Sequence, residues 1–140
     1  MIETLKRLSP VPIEFVYPKV GVIGEYFWGD DKTTPFLNKR IEVDKTLKKH
    51  EHIAVLSHEI AHALCDVKNC NCRESKILEE IHAHKYSLNL LLKHEQKASL
   101  KWLLMKIEEH LNCSHFSPAI EAAKHIMKLK LWQKCLDYVK

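Results

Sequence analysis

The stretch Ile53-Ala54-Val55-Leu56-Ser57-His58-Glu59-Ile60-Ala61-His62-Ala63-Leu64 decides how the rest of the chain is read. Ile53, Leu56, Ile60 and Leu64 recur three to four residues apart, and Ala54, Val55, Ala61 and Ala63 fill much of the remaining circumference. That period is helical, and the apolar coverage predicts a helix buried nearly all round, beginning near Glu51. Only Ser57, His58, Glu59 and His62 interrupt it. Titratable side chains are costly to bury unless something satisfies them, so their concentration on an apolar helix points to a bound cation.

His58 to His62 form an HExxH motif. Residues four apart share one helix face, so both imidazoles can reach a single ion while Glu59 meets a water on it. The alternative is a pair of core histidines satisfied by other side chains. A catalytic zinc takes three protein ligands and keeps a fourth position open. A second helix, about Ser75 to His94, carries Glu79, Glu80, His82 and His84. Glu80, one helix and a connection downstream of His62, is the expected third ligand; Glu79, His82 and His84 are its rivals. His84 shares a face with Glu80 and is expected to orient a ligand or stabilise an oxyanion. Asp66, four residues past His62, either supports the site or closes the helix end.

Outward from these helices, the breakers crowd into the first quarter of the chain, with glycine only at Gly21, Gly24 and Gly29 and no proline between Pro35 and Pro118. Ile13 to Tyr17, Val20 to Trp28 and Ile41 to Asp44 are β-branched, aromatic or alternating, and predict short antiparallel strands, with Gly29 to Pro35 as the turn between the last two. Towards the C-terminus, Leu100, Leu103, Leu104, Ile107 and Leu111 mark a helix over about 97–111. Ser117-Pro118 reads as a cap and first turn, opening a last helical stretch that breaks near Lys130. Trp28, Trp102 and Trp132 read as packing residues. The expectation is a single α+β domain over 1–140: a strand-rich head (1–45), metal-site helices (50–95) and a helical tail (96–140).

At 140 residues, 46% hydrophobic and 29% charged, the chain has the composition of one globular domain and lies far from disorder. No apolar run approaches the ~20 residues of a membrane span. Met1 to Arg7 lack the pattern of a secretory signal, so the expected location is cytoplasmic, with the five cysteines reduced. Cys65, Cys70 and Cys72 read first as small buried thiols; the other reading is a second metal, or a thiolate on the zinc as a redox switch. Cys113 and Cys135 read as structural. The formal charge of +4 gathers in the tail, where scattered lysines read as a solvated face. Nucleic acid is therefore an unfavoured partner, and a membrane is not expected.

Residues 53–64 resemble the active-site helix of the ImmA/IrrE-type metallopeptidases, usually preceded by a short strand like Ile41 to Val43. Glu80-Ile81-His82-Ala83-His84-Lys85-Tyr86-Ser87 is similar to that family's second helix, an E-x-x-A-(N/D)-x-aromatic-A pattern whose acid completes the metal site. The similarity covers about residues 38–92. Ala61 stands where the family commonly has glycine, His84 where it has Asn or Asp, and Ser87 where it has Ala; no Leu-Met-Pro follows. The resemblance implies a zincin-like fold and one Zn²⁺ on His58, His62 and Glu80. It also implies an activity, endopeptidase cleavage of a protein substrate such as a transcriptional repressor or regulator.

With Glu59 as the base, an oxyanion donor is still needed, and His84, Tyr86, Tyr26 and His115 are available. Val22 to Trp28 could offer an edge to which an extended peptide adds as a strand. A SprT-like protease shares the first motif but usually appends a zinc ribbon, and no CxxC…CxxC occurs here. The rival outside enzymes is a metal-stabilised module of a phage or mobile element that grips a regulator without cutting it.

Overall fold

The computed structural model describes residues 1–28, 39–113 and 115–140. Six helices, of which α2 carries the HExxH motif, and a three-stranded sheet make up the described fold: α1 (Ile2–Leu8), β1 (Ile13–Val16), β2 (Gly24–Trp28), β3 (Lys39–Asp44), α2 (Lys49–Val67), α3 (Lys76–Lys93), α4 (Lys97–Cys113), α5 (Ser117–Met127) and α6 (Lys130–Val139). The α+β class and the helical body agree with the sequence pattern. The expected turn over 29–35 and the side chains of Trp28 and Cys113 lie outside the described residues.

The sheet differs from expectation in topology. Its order is β1-β3-β2, with β3 antiparallel to β2 but parallel to β1, so the sheet is mixed. β3 slots between two strands that precede it in the chain. The reason is burial: Ile41 and Val43 on β3 are fully buried against the helices, and a strand that buried belongs in the centre. α1 was not foreseen; it is a short element anchored by the fully buried Leu5.

α2 is largely buried, as its composition predicts, with Ile53, Ala54, Leu56, Ile60 and Ala63 in the core. It packs against α1, α3, α4, β2 and β3, and α3 is its most extensive partner. Its first turn is tied down by Glu51, whose Oε1 accepts the Lys48 N–H at 3.2 Å. α3 opens on Ser75, whose Oγ accepts the Leu78 N–H at 3.4 Å. α5 begins one residue earlier than expected: Phe116 is the cap position and Ser117 the first helical residue. The break before Lys130 is present, and the same core continues through Ala123, Ile126, Trp132 and Cys135. Among the described residues no helix is long and apolar enough to cross a membrane.

Two features of the sheet bear on the site. Gly24 and Tyr26 lie on the face of β2 turned to α2, where a Cβ added at Gly24 would stand 2.2 Å from Val55 Cγ1 and 3.5 Å from Glu59 Cγ. Glycine here allows the sheet to come close to the HExxH helix. On the other face, the Glu42 carboxylate accepts from Lys19 Nζ and Arg40 Nε, both at 2.7 Å. The Lys19 hydrogen bond holds the Glu42 pKa below the usual 4.5, with Arg40 adding to it against the effect of burial.

Gly24→Ala is expected to lower stability by ~1–3 kcal/mol, because Val55 is β-branched and cannot rotate away freely. Chemical denaturation measures it; an unchanged midpoint would mean that the sheet and helix are not held this closely. Glu42, with its lowered folded pKa, contributes stability that is present above pH 4.5 and lost as pH falls through the folded value. Glu42→Gln should therefore flatten the acid limb of the stability curve and leave its neutral-to-alkaline shape intact.

Candidate metal centre

The helical period of α2 puts His58 and His62 one turn apart, and their Nε2 atoms converge to 3.1 Å. Glu80 of α3 meets both, Oε2 at 3.4 Å from His58 Nε2 and Oε1 at 3.0 Å from His62 Nε2. Tetrahedral zinc bonds of ~2.0–2.1 Å place neighbouring ligand atoms ~3.3 Å apart, which these separations match. The donor set, two imidazoles and one carboxylate, suits zinc. These three residues can hold a metal ion.

Charge favours the same conclusion. The 390 Å³ cleft over these residues is also lined by Glu25, Glu59, Asp66 and Glu79, with Lys76 as the one lysine among its described lining residues. Without a cation, the compensating charge is a proton on His62. Burial opposes that proton, but hydrogen bonds to Glu79 and Glu80 overcome it and raise the pKa from 6.5 to about 10. Burial of Glu80 would raise its pKa, but its contacts with His58 and His62 prevail and hold it far below 4.5. A metal dication would take over the charge-balancing role of the ring proton.

Glu59 projects into the cleft beside these ligands without joining them. Burial raises its carboxyl pKa, with His58 and His62 acting in the opposite direction. Glu79 has a part that its sequence position did not disclose. His62 Nδ1 donates to Glu79 Oε1 at 3.3 Å, so a metal taking the place of the proton on Nε2 would leave that bond intact. The adjacent pair Glu79-Glu80 thus grips the two sides of one imidazole.

The other expected ligands divide among different places. His82 does not face this site; its Nδ1 lies 3.1 Å from Cys65 Sγ and 3.3 Å from Cys72 Sγ. It drops out as a rival third ligand for geometric reasons: it lies on a part of α3 that faces the end of α2. His84 is buried behind His58, with ring centroids 4.8 Å apart and Nε2 3.9 Å from Glu80 Oε2, too far for a hydrogen bond. Neither of its ring nitrogens has a partner, nor does His58 Nδ1. Burial and the neighbouring His58 push the His84 pKa well below 6.5. His84 lines a 120 Å³ cavity together with His58, Glu59, Trp102 and His110.

Asp66 ties the sheet to α2, its Oδ2 accepting from the Tyr26 hydroxyl at 2.5 Å and from Lys39 Nζ at 2.9 Å. Tyr26 is therefore at the cleft but engaged with Asp66. Tyr86 lines a separate pocket beside Cys65, Cys70 and His82. His115 is exposed, next to Phe116 at the cleft rim. No family model, curated protein or solved structure matches the chain.

Glu79→Gln should weaken zinc binding at His58, His62 and Glu80 by ~10–100-fold, the usual effect of losing the outer partner of a liganding imidazole. Competition against a chromophoric chelator reads it, in a Cys70→Ser/Cys72→Ser background so that thiolates do not compete. An unchanged affinity would remove Glu79 from this role.

Proposed function

We propose that the chain is a zinc-dependent endopeptidase acting on an extended segment of a protein substrate. The observation that carries the reading is the convergence of His58, His62 and Glu80 on one point in an open acidic cleft, with Glu59 beside it but not among the ligands. A zinc ion held there would supply Lewis acidity to a peptide carbonyl and make a water nucleophilic near neutral pH.

Glu59 is the general base: it takes the proton from the attacking water and returns it to the departing amine. Its place in the cleft beside the three ligands, but not among them, suits both halves of that exchange. Glu79 holds the His62 ring in the required tautomer. His84 packs its ring behind that of His58.

Among the described residues β2 pairs with β3, and the start of β2, Gly24 and Glu25, borders the cleft. A substrate in extended form can add alongside β2 by main-chain hydrogen bonds, which fixes its register across the site without demanding a particular sequence. The carboxylates around the cleft favour a substrate with basic or neutral residues there. A transcriptional repressor or regulator is the substrate class implied by the resemblance to the ImmA/IrrE-type peptidases, in a cytoplasmic setting.

Glu59→Gln is expected to keep the zinc content and lower cleavage of fluorogenic casein by ~10²–10⁴-fold, the usual contribution of a positioned base. Metal analysis and turnover are read on the same preparations. Full zinc with no turnover in either protein would instead favour the metal-stabilised binding module.

A further inference from the structure

We propose a second metal site, a closed tetrahedral zinc centre on Cys65, Cys70, Cys72 and His82, that clamps the end of α2 to the start of α3. The four ligand atoms lie within 4.8 Å of one another, and the cysteines are free thiols. Cys72 Sγ is 3.5 Å from Cys65 Sγ, and His82 Nδ1 is 3.1, 3.7 and 3.3 Å from the sulfurs of Cys65, Cys70 and Cys72. Zinc bonds of ~2.3 Å to sulfur and ~2.0–2.1 Å to nitrogen give tetrahedral edges of ~3.8 Å between sulfurs and ~3.6 Å from sulfur to nitrogen. The cluster needs only small adjustments to reach them.

The backbone explains how so irregular a spacing forms a site. α2 ends in a Schellman turn: Asn69 takes a left-handed conformation, φ +53, its N–H donates to Asp66 O at 3.1 Å, and the Cys70 N–H donates to Cys65 O at 2.9 Å. That turn folds Cys70 back over Cys65. A short 3₁₀ turn, Asn71–Glu74, then returns Cys72 to the same spot before Ser75 starts α3. His82, two turns into α3, closes the fourth corner from an exposed position that admits a metal from solvent.

The two centres differ in chemistry. Three thiolates and one imidazole form a soft set that fills all four positions and selects zinc as a structural ion, whereas two imidazoles and a carboxylate leave a position open. The thiolate centre does not depend on the peptidase reading. It stands three residues past His62 on one helix and two past Glu80 on the other, so it holds the same helix pair that presents the first site.

The test uses the full chain with His58→Ala, purified reduced and metal-free, then titrated with Co²⁺ and Zn²⁺. One equivalent of Co²⁺ should bind, with an intense thiolate-to-cobalt charge-transfer band that Zn²⁺ abolishes. Adding Cys70→Ser/Cys72→Ser should remove that equivalent and the band. His82→Ala should keep a thiolate band but weaken the binding. If His58→Ala fails to fold, the unmodified chain should bind two equivalents and lose one, with the band, on Cys70→Ser/Cys72→Ser. Absence of the band, with all three thiols open to alkylation in the presence of metal, would overturn the site, as would a Cys65–Cys72 disulfide in protein kept reduced.

Discussion

The structure depends on the contact between α2 and α3. α2 is largely buried and yet carries two imidazoles and an acid on its circumference. Such groups are tolerated in an apolar setting only if partners from another element reach them. α3 supplies those partners: Glu79 and Glu80 meet the two nitrogens of His62, and Glu80 also meets His58. Removing one member leaves the others with less compensation for their partly buried charge, so the helix pair and its polar seam support each other.

The sequence of α3 places its polar residues on successive parts of that seam. Glu79 and Glu80 face the imidazoles, His82 faces the cysteines at the end of α2, and His84 turns inward behind His58. A rotation of about 100° per residue is enough to send neighbouring side chains to these separate destinations. The proposed thiolate centre and the proposed hydrolytic centre are thus two consequences of one helix–helix register. On the opposite flank, Gly24 brings β2 against Val55 and Glu59, and Asp66 ties Tyr26 and Lys39 to the same helix. The cleft is the gap left between these two attachments.

A helix pattern is local, and the chain reads accordingly. The apolar period of 53–64, the helix beginning near Ser75, the helix from Lys97 and the break before Lys130 are all visible residue by residue, because helical hydrogen bonds join near neighbours in sequence. Spacing of four put His58 and His62 on one face, and an acid one helix later met them at Glu80. The strand order was not legible, since pairing joins residues far apart and nothing in Ile41-Glu42-Val43 says which strands flank it. α1 was missed because so short a helix is held by the burial of Leu5 rather than by its own sequence.

The amino-acid sequence by itself determined an α+β chain with an HExxH helix and an acid-bearing partner helix, because those features are set by periodicity and composition. Only the tertiary structure decided that Glu79 holds His62 from behind, that His82 belongs with the cysteines and that β3 lies between β1 and β2. Each of those outcomes depends on the rotation and approach of one packed element against another, and no local spacing encodes that.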